Sequence, residues 1–180
     1  MTGWDPVQLA RECSATTVPY GKRVTLDAGG LIEVVQRLGA SITVRTQMGA
    51  LLRIDGNDAD AVGLDPLDIA SGSAEGPFEL SQVTDALQQI YDPEIPVSIV
   101  ELGLVYRCEE TRSADGGRRI EIDMTMTAPG CGMGDVLRDD ALRAVGAIPG
   151  VDDVEIQIVF DPPWHVGRMS EAARLQLGLM

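Results

Sequence analysis

Cysteine is scarce in this 180-residue chain, with Cys13, Cys108 and Cys131 odd in number, scattered and forming no Cys-x-x-Cys pair. That pattern argues against a disulfide framework and against a self-contained zinc site, because one chain cannot supply four thiolates. Histidine is scarcer still, His165 alone. Basic side chains are few: Lys and Arg total 14 against 28 Asp and Glu, a formal net charge of -14. Such a charge opposes phosphate backbones and anionic bilayers, so neither nucleic acid nor a membrane is an expected partner. No segment approaches the roughly 18 apolar residues of a spanning helix, and Met1-Thr2-Gly3-Trp4-Asp5-Pro6 lacks a basic start and an apolar run. These absences point to the cytoplasm. Also missing are a Gly-Lys-Ser/Thr phosphate loop, a dinucleotide fingerprint and any internal repeat.

What is present suits a folded protein. Hydrophobic residues make up 44% of the chain, enough for one ordinary domain or two small ones. Residues 1–56 read as a β-rich module, with strands at Val24–Leu26, Leu31–Leu38, Ile42–Thr46 and Ala50–Ile54 punctuated by Gly21, Gly29-Gly30, Gly39 and Gly49. Leu31, Val34, Val35 and Leu38 also fit a helical stripe, but β-branched content and flanking glycines favour a strand. Residues 57–77 turn acidic and rich in small residues, the composition of a linker, although Asp58 to Gly63 could form one helical turn.

Residues 78–180 are more regular. Leu80, Val83, Leu87 and Ile90 predict a helix over 79–91, stopped because Pro93 disfavours helical geometry at Asp92. A strand follows with Leu104, Tyr106 and Cys108 on one face. Asp115-Gly116-Gly117 then supplies a hairpin turn into a second strand, where Ile120, Ile122, Met124 and Met126 alternate with polar residues. Met133, Val136, Leu137, Ala141 and Val145 trace a second helix, and Val154, Ile156, Ile158 and Phe160 a third strand. The order helix, strand, strand, helix, strand predicts an α+β fold: a small mixed sheet, helices on one face, the third strand parallel to the first. Beyond Asp161-Pro162-Pro163-Trp164, Trp164 is expected to anchor the tail and Ser170 to cap a terminal helix carrying Leu175 and Leu179.

The clearest chemical signal is Met126-Thr127-Ala128-Pro129-Gly130-Cys131-Gly132-Met133-Gly134. It puts Cys131 between strand and helix, where unpaired N–H groups and the helix dipole favour a thiolate able to bind metal or attack an electrophile. Gly130 and Gly132 let backbone approach a ligand or cluster. A bland alternative is a tight turn with cysteine as a small hydrophobe. Asp92-Pro93-Glu94-Ile95-Pro96 holds two carboxylates in a stiff loop, directed to a metal, a partner or solvent. Cys108 reads as core. Cys13 reads as packed or idle, though a second thiolate on a mobile segment is the competing reading. His165, the sole histidine available as a base for a cysteine nucleophile, reads as an exposed loop residue.

Together, Asp92 to Val97, Ile99 to Tyr106 and Thr127 to Gly134 resemble the SufT/PaaD-like family of small α/β iron–sulfur cluster assembly domains. The N-terminal module and the tail Phe160 to Leu175 resemble the longer, SufT-type members, and the likeness spans nearly the whole chain. It implies a non-catalytic accessory role in maturing iron–sulfur proteins, with the motif cysteine at Cys131, the acidic loop at Asp92 and Glu94, and the Arg-x-Cys of longer members at Arg11 and Cys13. The implied cargo is iron or an iron–sulfur cluster, held transiently with Cys131 as the metal ligand and Gly130, Gly132, Asp92 and Glu94 around it. The implied partners are the assembly machinery and client apo-proteins. Clusters usually take four protein ligands, so a homodimer, a client or a small thiol must complete the coordination. A metal-free client-docking adaptor and a thiol enzyme with Cys131 as nucleophile are the competing classes. The chain departs from the family pattern at Ala40, where a glycine is expected, and at Gln47-Met48-Gly49, where an Asn-Gly turn is usual.

Overall fold

In the computed structural model, residues 4–66 and 76–179 are described. The N-terminal half folds into a six-stranded sheet ordered β1-β4-β5-β6-β2-β3. Its strands are β1 Val7–Gln8, β2 Cys13–Thr17, β3 Arg23–Leu26, β4 Leu31–Leu38, β5 Ser41–Thr46 and β6 Leu51–Asp55. All neighbours are antiparallel, and a bulge between Val34 and Gln36 interrupts the β4–β5 ladder. Inward residues such as Cys13, Ala15, Ile42, Val44, Leu52 and Ile54 build one core.

The four expected strands are present, and β4 is a strand rather than a helix. The strands β1 and β2 are additional. Neither has an apolar pattern long enough to stand out, since β1 is a pair of residues and β2 reads CSATT. The first part of the segment read as a linker is packed structure. A 3-10 turn over Gly56–Val62 buries Ala59, Ala61 and Val62 in the core, its start capped by Asp55 and its end closed by Gly63 at φ +73°. Small side chains let this turn lie close to the sheet. Residues 67–75 of the linker reading, and Met1 to Gly3, lie outside the described residues.

The second half carries α1 Leu80–Gln88, β7 Val105–Arg112, β8 Arg118–Met124, α2 Gly134–Gly146, β9 Asp153–Ile158 and α3 Glu171–Gln176. The helix α1 ends before the expected 91 because Tyr91 pairs with Ser98 in an isolated antiparallel bridge. The hairpin β7–β8 is antiparallel, and β9 lies parallel to β8, giving the order β7-β8-β9. The mixed α+β sheet is as expected, but the third strand joins the second strand, not the first. The crossover through α2 returns the chain beside the strand it left. This makes β8 central, with Ile120, Ile122 and Met124 sealed in the core. A bulge between Val105 and Arg107 also takes Tyr106 out of the alternation shared with Leu104 and Cys108. Its hydroxyl instead donates to the Pro162 carbonyl at 2.9 Å, and Arg168 lies 3.9 Å over its ring.

Val83 and Leu87 of α1 and Leu137, Ala141 and Val145 of α2 complete the second core. The sheet's other face is a charge ladder: Arg107 binds Asp123, and Arg119 binds Asp153 and Glu155. Trp164 packs against the core and donates its indole N–H to the Leu102 carbonyl at 2.8 Å, while Ser170 caps α3. Leu175 and Leu179 remain exposed. The halves meet where Arg53 of β6 binds Asp140 of α2, and where Val18, just past β2, enters the second core.

Candidate cysteine site

The site begins where β8 ends. The Thr125 N–H donates to the Leu104 carbonyl at 2.8 Å, and Met126 stays buried, so the chain leaves the sheet held on the core. It then turns: the Cys131 N–H donates to the Ala128 carbonyl at 3.3 Å, across Gly130 at φ +78°, a conformation that favours glycine. The Cys131 carbonyl accepts from the Gly134 N–H at 3.3 Å, and α2 starts there with Met133 as the cap residue. Cys131 thus sits two residues ahead of the helix cap, outside the first turn. Its side chain is half-buried against the second core. Nearby in sequence, the fully buried Thr125 hydroxyl has no hydrogen-bond partner, a feature that no sequence pattern announced.

The acidic loop places its two carboxylates in different surroundings. Asp92 is buried, and its Oδ1 accepts from the N–H groups of Glu94 and Ile95, both at 2.9 Å. Burial pushes its carboxyl up from the usual range, against the pull of those two N–H groups. Asp92 therefore folds its own loop, while Glu94 is exposed. Among the described residues no hydrogen bond or ion pair joins either carboxylate to Cys131, and no three His, Cys, Asp or Glu side chains cluster as a metal site.

The other thiols are separate. Cys13 is buried in the first core at the head of β2, and burial, with Asp58 adding to it, pushes its thiol up. The reading of Cys13 as a ligand on a mobile segment fails, because its side chain is packed under the sheet. Cys108 packs against the second core from β7, and burial raises its thiol too. Arg11 binds Asp58 and Asp60, holding the chain ahead of β2 to the 3-10 turn. His165 is exposed at the start of a short 3-10 turn, Val166–Arg168.

One neighbour of Cys131 was not expected. The β2–β3 turn of the N-terminal sheet lies directly on the cysteine loop. A Cβ on Gly21 would come within 1.8 Å of the Gly132 carbonyl oxygen, and one on Gly132 within 2.1 Å of the Tyr20 carbonyl oxygen. Gly21 stands at φ +67°, and in the sequence it reads only as strand punctuation.

Residues 80–158, which hold Asp92, Glu94 and Cys131, match the family described as "Iron-sulfur cluster assembly protein". An "Fe-S protein maturation auxiliary factor" of Porphyromonas gingivalis is 40% identical over 94 residues, 52% of this chain and 86% of that protein. The chain belongs to the iron–sulfur cluster assembly protein family. Another relative, "Fe-S protein maturation auxiliary factor YitW" of Bacillus subtilis, is 38% identical over 97 residues, 54% of this chain and 91% of its own length. The crystal structure of a domain of unknown function, DUF59, from Bacillus anthracis is 35% identical, with a TM-score of 0.48, covering 56% of this chain and 92% of that one. The family match stops at residue 158, so the N-terminal six-stranded sheet and α3 lie outside it.

Proposed function

We propose that this chain is a non-catalytic accessory factor in iron–sulfur protein maturation that holds iron or a cluster in transit through Cys131. The observation that carries this reading is the setting of that thiol. Cys131 lies on a glycine-flanked turn within the family-matched segment, whereas Cys13 is sealed in a core and Cys108, half-buried like Cys131, is held within a paired strand. The names of the related proteins support the maturation role. A cluster takes four protein ligands and this site offers one thiol, so the remainder come from a client apo-protein, an assembly protein, a second copy of the chain or a small thiol. Such shared ligation is labile, which suits transfer. In this role Gly130, with nothing within 4 Å of where a Cβ would stand, lets cargo approach the backbone, while the space beside Gly132 is taken by the Tyr20–Gly21 turn; Asp92 braces its loop, and exposed Glu94 with the chain's negative charge contributes to partner selection.

Anaerobic reconstitution with iron and sulfide, comparing the wild type with Cys131→Ser, tests the proposal. Loss of bound iron, sulfide and visible absorbance in the variant is expected; equal retention removes Cys131 as a ligand. The exposure of Glu94 favours a second reading, a docking adaptor that carries no metal. Under that reading Cys131→Ser keeps its pulled-down partners and fully supports iron–sulfur enzymes in cells.

A further inference from the structure

The β2–β3 turn is stiff at its base. The N–H groups of Thr17 and Gly21 donate to the carbonyls of Lys22 and Thr17, each at 2.8 Å, and the Val18 N–H donates to the Leu51 carbonyl of β6 at 3.0 Å. Its own sheet therefore holds the turn, while the Val18 side chain is buried in the core of the other half. From that anchor Tyr20 and Gly21 meet Gly132 backbone to backbone, at a separation no Cβ would allow on either glycine. The contact falls on the residue next to Cys131. The family match begins at residue 80, so this turn is supplied by the part of the chain outside it.

We propose that the Val18–Gly21 turn is a positioning element of the cysteine site, fixing the Gly130–Gly134 backbone and thereby setting how the Cys131 thiol is presented. Gly21 and Gly132 are positioning residues, and the N-terminal sheet serves the chemistry of the family domain. The proposal rests on Cys131 being the functional thiol, but its test uses no iron, so either can fail while the other stands.

The test follows the rate of alkylation of Cys131 by iodoacetamide at neutral pH, in the whole chain, with each cysteine quantified by peptide mass spectrometry. Gly132→Ala puts a methyl group against the Tyr20 carbonyl, and Gly21→Ala drives one into Gly132. Gly49→Ala is the control: it has a similar positive φ, +82°, in the same sheet, with nothing within 4 Å of the new Cβ. Val18→Ala loosens the anchor with no added atoms. In Gly21→Ala, Gly132→Ala and Val18→Ala the Cys131 rate at neutral pH is expected to change by about threefold or more. Gly49→Ala should match the wild type, and buried Cys13 should stay slow throughout. Wild-type Cys131 rates in the Gly21, Gly132 and Val18 variants that keep Cys13 protected would overturn the proposal. If both glycine variants expose Cys13, Val18→Ala decides alone, and an unchanged Cys131 rate there also overturns it.

Discussion

Asp92 illustrates how one residue can carry a motif for structural reasons. Its carboxyl is raised by burial and used by two backbone N–H groups. The sign of its pH effect follows from the raised folded value. The native state holds the proton more readily than the unfolded chain, whose value is about 3.9. The resulting contribution to stability is complete below the unfolded value and is lost as pH rises through the folded one. Asparagine mimics the uncharged form and keeps an acceptor. Asp92→Asn is therefore expected to be at least as stable as the wild type at neutral pH, with the advantage fading on acidification toward about pH 4, as read from urea midpoints across that range. Asp92→Ala strands two N–H groups and should lose about 1–3 kcal/mol at the acid end of that range, the loss shrinking as pH rises. Iron retention by Asp92→Asn separates the roles further, since a loop acceptor survives the change and an anionic oxygen ligand does not. The sequence marks this residue by its stiff acidic loop but does not reveal which neighbours its oxygen meets, because those bonds depend on the loop's final turn. An Arg-x-Cys pattern marks Cys13 in the same way, and only the packing of β2 against the 3-10 turn determines that its thiol is enclosed.

Among elements, those with a long apolar period were legible. The stripes of α1 and α2 and the alternation in β8 and β9 each repeat often enough to outweigh chance, and the matching elements formed. Strand partnership was less legible, because periodicity says which face is buried and nothing about which neighbour completes the ladder. The bulge at Tyr106 was hidden for a related reason: an extra residue leaves composition unchanged while shifting every face beyond it. The short α3 was readable from Ser170, whose hydroxyl accepts from the Ala173 N–H at 3.0 Å and also binds Glu101. Losing that cap through Ser170→Ala should lower stability by about 1 kcal/mol, measured by urea unfolding. The tail has a second tie nearby. Trp164→Phe removes the bond to Leu102 while keeping an aromatic ring, so a loss of about 0.5–1.5 kcal/mol is expected in the same assay. Gly103 shows why the docked tail needs that path: at φ +69° its missing side chain leaves room for the Arg168 carbonyl oxygen, 2.2 Å from where a Cβ would stand.

At the scale of the molecule, two cores are coupled by a buried charge network that the sequence could not disclose, since its partners are 87 residues apart. Arg53 and Asp140 have side chains only 6% and 8% exposed, so neither charge has water to fall back on. The Arg53 Nε also donates to the Ser41 hydroxyl at 2.8 Å, and Arg143 reaches both Asp140 and Asp55. Removing one partner leaves the other desolvated and uncompensated. Asp140→Ala should therefore lower stability by about 3–5 kcal/mol, whereas Arg53→Met with Asp140→Leu exchanges the pair for packed hydrocarbon and should recover much of that loss. The halves can be watched separately, because Trp164 is packed against the second core and Cys13 is buried in the first. With Trp4→Phe as background, fluorescence follows the second half, and the labelling of Cys13 at each urea concentration follows the first. Coincident unfolding curves are expected while the network is intact. In Asp140→Ala they should separate, because the six-stranded sheet then loses its tie to α2, and the apolar double variant should bring them together again. Curves that stay coincident in Asp140→Ala would mean that Val18 and the Gly21–Gly132 contact couple the halves without the ion pair.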